Sequence, residues 1–341
     1  MNEDAIHQRY VMGGAWNEPT YEFNQPDARS PFERAANFGF RTARYAVTQE
    51  FAKAGEPLKS QTRDYSREVP VSDEVFAAYK SLFAYDKTPL RSVVESTEVT
   101  EHWTKQRITF DAAYNHERMA AYLFLPKKAS PPFQTVVYFP GVDAVFTRSS
   151  TTQLRTDLYD YVIKSGRAVL FPIYQSTYER GDGLKNTRPN MTTVYRDHVI
   201  EWSQDLGRSI DYLETRPDID GGKLAYMGVS WGAALGAVFP AVDDRFKAVL
   251  LDSPGLYPAP CLPQVDQLNF APRVKAPVLM LNGRYDYYYP PPTSQEPMFR
   301  LLGTPKEQKR RVVYDTGHDT PRTGVVKETL NWLDKYLGPV K

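Results

Sequence analysis

The 341-residue sequence contains a single cysteine and no long apolar segment. The lone Cys261 excludes an intramolecular disulfide bond and a cluster of thiolate metal ligands. The longest apolar runs, at residues 168–173 and 276–281, are much shorter than the roughly 18–20 residues of a membrane-spanning helix. We therefore expect a globular protein whose hydrophobic core supplies its stability.

The sequence also lacks an excess of charge, because 42 basic and 41 acidic residues give a formal net charge of +1. Binding to nucleic-acid phosphates needs a basic surface, so we expect neither nucleic acid nor a membrane as a partner. The first nine residues have neither the basic head nor the apolar centre of a secretory signal. The sequence therefore predicts a cytoplasmic location.

The composition changes along the chain. Residues 1–68 are polar, rich in Asn, Arg, Pro and Gly, and show no sustained helical or strand periodicity. We interpret this segment as a loop-rich N-terminal appendage. Residues 69–341 form a second predicted domain with regular strand and helix patterns.

Strand and helix patterns alternate through that domain. Strands are predicted at residues 107–110, 119–125, 135–139, 168–172, 223–229, 246–252, 277–282 and 311–314. Helices are predicted at residues 152–164, 193–215, 231–242, 294–302 and 324–337. This alternation indicates an α/β fold, in which a mostly parallel central sheet has helices on both faces.

A Gly-x-Ser-x-Gly pattern spans residues 228–232, between a predicted strand and a predicted helix. A nucleophile on such a turn needs small neighbours, because the backbone is strained and the strand and helix approach closely. The start of the following helix also favours the negative charge that develops during attack. Ser230 is therefore the candidate nucleophile.

A serine hydroxyl needs a base, and the base needs an acid that orients it. Of the five histidines, only His318 follows Ser230, and it lies just beyond the last predicted strand. Asp286 follows the preceding strand and is the preferred acid. The competing acids are Asp252, Asp315 and Asp319.

Acyl transfer also needs two N–H donors for the oxyanion of the tetrahedral intermediate. Trp231, directly after the nucleophile, supplies the first. Val142, in the loop after the strand at residues 135–139, is our choice for the second.

Two long loops, at residues 174–191 and 253–275, leave strands at the sheet edge where ligands bind in α/β folds. Their aromatic residues, with those that follow Asp286, could line an acyl or alcohol pocket. The candidate substrate-binding residues are Tyr174, Tyr178, Tyr257 and Tyr287, with Trp231 and Tyr288 as further aromatic candidates.

With this motif and the order Ser230, Asp286, His318, the domain at residues 69–341 resembles an α/β-hydrolase catalytic domain. It is similar to the dienelactone-hydrolase, acetyl-xylan-esterase and prolyl-oligopeptidase branches of that superfamily. The runs at residues 85–90, 165–169 and 211–216 resemble hydrolase modules at the C-terminus of bacterial serine/threonine-kinase-like proteins. No kinase signature is present, so the resemblance implies no kinase activity.

Residues 11–45 resemble the C-terminal end of a formylglycine-generating-enzyme-like domain, through the runs at residues 13–17, 27–32 and 37–41. This stretch has no cysteine, so the thiol and copper chemistry of that family is not implied. We interpret it as a structural remnant.

We predict a serine carboxylic-ester hydrolase that acts through an acyl-enzyme on small or aromatic esters, with no cofactor and no metal. Three alternatives stay open. They are a feruloyl or acetyl polysaccharide esterase, an amidase or peptidase of the prolyl-oligopeptidase type, and a non-catalytic interaction module of a kinase-like assembly.

Overall fold

The computed structural model describes residues 9–16, 27–29, 34–39, 63–184 and 186–340. The described strands are β1 (Arg9–Val11), β2 (Asp27–Arg29), β3 (Val93–Val99), β4 (Trp103–Asp111), β5 (Arg118–Pro126), β6 (Phe133–Phe139), β7 (Ala168–Pro172), β8 (Ile219–Val229), β9 (Phe246–Asp252), β10 (Val278–Gly283) and β11 (Lys309–Tyr314). The described α-helices are α1 (Asp73–Ser81), α2 (Asp143–Phe146), α3 (Ser150–Gln153), α4 (Asp160–Lys164), α5 (Thr193–Glu214), α6 (Trp231–Leu235), α7 (Phe239–Val242), α8 (Gln267–Phe270), α9 (Glu296–Leu301) and α10 (Arg322–Leu337).

Nine of these strands form one sheet in the order β11-β10-β9-β8-β6-β7-β5-β4-β3. The six strands from β6 to β11 run parallel, and β5, β4 and β3 extend the sheet in antiparallel pairs. The mostly parallel sheet agrees with the sequence prediction. The prediction missed β3, because every residue of this edge strand is exposed and it shows no alternation of apolar and polar positions.

Side chains alternate between the two faces of the sheet and feed two separate cores. Along β6, Val137 and Phe139 join one core, and Val136 and Tyr138 join the other. Helices α5 and α6 pack on the first face, and α4 and α10 on the second. Both faces are therefore covered, as the alternating pattern predicted.

Two predicted helices are broken in the structure. The helix predicted at residues 231–242 is divided into α6 and α7, because Pro240 lacks an N–H for a continuous helix and instead occupies the first turn of α7. The helix predicted at residues 152–164 is replaced by α3, a 3-10 turn and α4. There, the Glu179 carboxylate accepts hydrogen bonds from the amide and hydroxyl of Ser150 and ties this segment to the loop after β7.

The N-terminal segment is described only in part, and most of residues 11–45 lie outside the described residues. Strands β1 and β2 form a short antiparallel pair. Tyr65 is buried, and its hydroxyl donates to the carbonyl of Tyr257; Arg63 forms an ion pair with Asp266 at 2.8 Å. Within the described ranges, no helix is both long and apolar enough to cross a bilayer.

The close approach of β8 and α6 depends on two glycines. A Cβ on Gly228 would lie 2.4 Å from the carbonyl carbon of Gly232, and one on Gly232 would lie 2.5 Å from the carbonyl oxygen of Phe139. These neighbours are main-chain atoms, which cannot rotate away. The turn at the end of β8 therefore has no room for larger residues at either position.

We expect Gly228→Ala to lower the free energy of unfolding by about 1–3 kcal/mol, the usual cost of overpacking a close contact. Gly221→Ala is the matched control, because it lies at the exposed start of the same strand with no described atom within 4 Å of its Cβ position. Urea unfolding measures both, and equal effects of the two substitutions would contradict this account.

Candidate active site

Ser230 lies on the sharp turn between β8 and α6. Its φ of 51° and ψ of −105° place it in a region that residues other than glycine rarely adopt. The Ser230 N–H donates to the carbonyl of Asp252 at 2.8 Å, so the end of β9 supports the turn. The strained backbone at Ser230 is thus held in place by the close contact between β8 and α6 and by this hydrogen bond to β9.

The structure brings Ser230, His318 and Asp286 together from the ends of three strands. His318 Nε2 lies 2.7 Å from Ser230 Oγ, and His318 Nδ1 lies 2.9 Å from Asp286 Oδ2. When Nδ1–H donates to the carboxylate, Nε2 is left as an acceptor for the serine proton. This arrangement can draw a proton from the hydroxyl and return it to a leaving group.

Asp286 is fully buried, and its second oxygen is bound by the main chain. Oδ1 accepts the N–H of Tyr288 at 2.9 Å and that of Tyr289 at 3.1 Å. Gln295, also buried, donates to the carbonyls of Gly283 and Tyr289 and so fixes the two ends of this loop. The carboxylate is therefore held with one oxygen facing the imidazole.

The other acids that the sequence left open have different surroundings. Asp315 forms an exposed ion pair with Arg284 at 2.6 Å, and Asp319 is exposed. Asp252 accepts a hydrogen bond from the Thr320 hydroxyl at 2.5 Å. Of the four acids, Asp286 is the one hydrogen-bonded to the imidazole.

Sequence reasoning missed the role of the corner formed by Asp252 and Ser253 at the end of β9. Ser253 is buried, has a φ of 58°, and donates from Oγ to the main-chain carbonyl of His318 at 2.5 Å. The main-chain carbonyl of Asp252 accepts the Ser230 N–H, and its carboxyl group accepts the Thr320 hydroxyl. The corner therefore holds the serine turn and the histidine loop together; its sequence signal is a polar pair directly after an apolar strand.

The candidate oxyanion donors lie next to this turn. The Gly232 N–H donates to the carbonyl of Pro140 at 3.1 Å, which fixes the loop after β6 against the start of α6. Within the described residues, no acceptor takes up the N–H of Trp231 or of Val142. Neither N–H group is therefore committed to an acceptor within the described part of the chain.

Two candidate substrate-binding residues are buried in the core, which corrects the sequence expectation. Tyr174 is fully buried, its ring centroid lies 4.0 Å from that of Phe139, and its hydroxyl donates to the carbonyl of Tyr138. Tyr178 is 5% exposed and packs edge-on against Phe171. Sequence alone does not separate an aromatic residue that lines a pocket from one that fills the core.

The remaining tyrosines are arranged around His318. Tyr288 and Tyr289 lie 4.9 Å and 5.8 Å from the imidazole between ring centroids. The half-buried Tyr287 packs against Tyr288, and Tyr257 packs against Tyr289. The contact of Tyr289 with the imidazole was missed, although the run of three tyrosines directly after Asp286 was a visible signal.

The side chain of Trp231 is also part of the core. Its ring is buried between Phe139, at 4.9 Å, and Trp202, at 4.7 Å. The ring of the residue directly after the nucleophile is therefore packed in the core.

Two further observations concern Cys261 and the metal-ligating side chains among the described residues. Cys261 is buried, and burial raises the pKa of its thiol, which disfavours a thiolate nucleophile. No described group of three or more His, Cys, Asp or Glu side chains is placed to hold a metal ion.

The sequence profile of the dienelactone hydrolase family matches residues 119–298, more than half of the chain. The chain belongs to the dienelactone hydrolase family. Its match to Acetyl esterase Axe7A of Xylanibacter ruminicola is 31% identical over 156 residues, which cover 38% of this chain and 34% of that protein. This family member therefore spans about a third of the length of that curated relative.

Solved structures show the fold of this family member. The acetyl xylan esterase from Paenibacillus sp. R4 superposes with a TM-score of 0.63 and 19% identity, over 80% of this chain and 98% of that one. Acetyl xylan esterase 1 from Thermoanaerobacterium sp. JW/SL YS485 superposes with a TM-score of 0.62 and 16% identity, over 86% of this chain and 99% of that one. The predicted α/β-hydrolase fold is confirmed.

Burial raises the pKa of Asp252 from its usual 3.8 to about 6. Between these pH values the folded protein binds more protons than the unfolded chain, so this group makes stability fall as pH rises through that window. Above pH 6 the Asp252 carboxyl group is charged in the folded protein, and burial of this charge lowers the free energy of unfolding by its full amount.

We therefore expect Asp252→Asn to raise the free energy of unfolding at pH 8 by about 1–3 kcal/mol, and to have little effect near pH 4. Urea unfolding at the two pH values measures this. Asp315→Asn, at an exposed ion pair, is the control and should change the free energy of unfolding by less than about 1 kcal/mol. A destabilised Asp252→Asn at pH 8 would contradict the assignment.

Proposed function

We propose that this protein is a serine carboxylic-ester hydrolase that acts through an acyl-enzyme on small or aromatic esters. The observation that carries the proposal is the hydrogen-bonded chain from Ser230 Oγ through His318 to the buried Asp286, on a strained turn at the carboxyl edge of the sheet. Membership of the dienelactone hydrolase family supports it.

In the first half of the proposed reaction, Ser230 Oγ attacks the ester carbonyl carbon while His318 Nε2 takes the hydroxyl proton. Asp286 holds the ring and stabilises the imidazolium. The N–H groups of Trp231 and Val142 are the proposed donors to the oxyanion. The C–O bond to the alcohol then breaks, and His318 protonates the departing oxygen.

In the second half, water attacks the acyl carbon and gives its proton to His318 Nε2. The bond to Ser230 Oγ breaks, the carboxylic acid leaves, and the serine recovers its proton. The four acyl-transfer steps use only the side chains and N–H groups described above.

A short acyl group is the second element of the proposal. The relative that is 31% identical is named as an acetyl esterase, which favours acetate in particular. An acetyl esterase of carbohydrates is therefore the favoured second candidate, ahead of an amidase or peptidase.

We expect Ser230→Ala to lower kcat/KM for p-nitrophenyl acetate by about 10³-fold or more, because the covalent step is lost. A fluorophosphonate should label the parent protein once, at Ser230, and leave the variant unlabelled. Ser209→Ala, which removes a buried hydroxyl from α5, is the control and should keep its activity. A folded parent protein that neither hydrolyses the ester nor reacts would favour the interaction-module alternative.

We expect Asp286→Asn to lower kcat by roughly 10³-fold, because the imidazole loses the carboxylate that fixes its tautomer. Asp315→Asn should change kcat less than about threefold, since that carboxylate faces Arg284 at the surface. The same p-nitrophenyl acetate assay measures both. A larger loss in Asp315→Asn than in Asp286→Asn would contradict the choice of Asp286 as the acid that orients His318.

A further inference from the structure

Asp143 borders the serine turn from the loop after β6. A Cβ placed on Gly141 would lie 3.0 Å from Asp143 Oδ1 and 3.8 Å from Ser230 Cβ. The carboxyl group and the nucleophile therefore flank the same point in space. The side chain of Asp143 is partly exposed.

The carboxyl group of Asp143 has no side-chain donor or ion-pair partner among the described residues. The N–H groups of Asp143 and Ala144, in the first turn of α2, favour its charged form, and the phenol groups of Tyr138 and Tyr178 also interact electrostatically with it. The positive charge of Arg155 acts on this carboxyl group, but that guanidinium is already bound to Asp157 through two hydrogen bonds. Burial raises the pKa of the Asp143 carboxyl, as expected for a group with weak compensation.

An unpaired carboxylate at this place is unfavourable for the proposed reaction. The tetrahedral intermediate develops negative charge at the N–H of Val142, one residue before Asp143, and like charges at short range raise the energy of the transition state. A substrate that donates a hydrogen bond to Asp143 offsets this repulsion and satisfies the carboxyl group. The transition state of such a substrate is preferentially stabilised.

We propose that Asp143 accepts a hydrogen bond from a free hydroxyl group beside the scissile ester, so that the enzyme prefers monoesters of diols and polyols. This inference rests on the proposed serine hydrolase function. An acetyl group has no donor, so the hydroxyl belongs to the alcohol part of the substrate. A hydroxyl costs less to desolvate than an ammonium group against a single carboxylate.

Two substrates that differ by one methyl group test the proposal. 2-Hydroxyethyl acetate has the donor, and 2-methoxyethyl acetate has the same chain with the donor blocked. We expect kcat/KM of the parent protein to be about tenfold or more higher for the hydroxyethyl ester, as for a hydrogen bond to a charged group. Acid release at constant pH measures hydrolysis of both esters.

Asp143→Asn should reduce this preference to about threefold or less and should raise kcat/KM for p-nitrophenyl acetate, which has no donor. Asp315→Asn is the matched control, because it removes a surface carboxylate that is paired with Arg284, and it should keep the preference. Asp143→Ala provides a second variant, and urea unfolding identifies any variant that does not fold.

The outcomes separate the inference from the function on which it rests. A parent protein that hydrolyses both esters equally, or a folded Asp143→Asn that keeps the preference, overturns the role of Asp143 while the Ser230-dependent activity stands. Equal losses on both esters in the Asp143 variants indicate a purely structural role in α2 and also overturn it. If the parent protein hydrolyses none of the esters, both proposals are wrong.

Discussion

The close contact between β8 and α6 is the constraint on which the rest of the site depends. Because Gly228 and Gly232 have no side chains, the helix begins against the main chain of β8 and of the neighbouring β6. The same contact lets the Gly232 N–H bind the carbonyl of Pro140. One steric condition thus places the strained serine, the loop of Val142, and the carboxyl group of Asp143 beside each other.

A second set of contacts joins this turn to the histidine loop. The end of β9 supplies the carbonyl that accepts the Ser230 N–H and the hydroxyl that binds the carbonyl of His318. Because the strands are parallel, their carboxyl ends meet at one edge, and residues far apart in the chain become neighbours. The corner at Asp252 and Ser253 therefore supports both partners of the proposed proton transfer, although it is hydrogen-bonded to neither reacting atom.

The long loop after β7 has a structural explanation. Arg180 and the fully buried Asp205 form an ion pair at 2.5 Å, and Asp205 also accepts the N–H of Gln175. A buried carboxylate with several donors fixes the main chain around it. The loop is thus tied down to α5, which accounts for the burial of Tyr174 and Tyr178 in place of the pocket-lining role expected from sequence.

The sequence by itself indicated an α/β fold with a mostly parallel sheet, most strand positions, and the three residues Ser230, Asp286 and His318 that the structure brings together. These features depend on local periodicity, on turn chemistry and on chain order, and all three are visible in the order of residues along the chain. Only the tertiary structure decided which tyrosines face His318 and which fill the core, and that Ser253 and Asp143 flank the site. Those assignments depend on which strand edges and helix faces meet in space, and residue type alone does not specify such contacts.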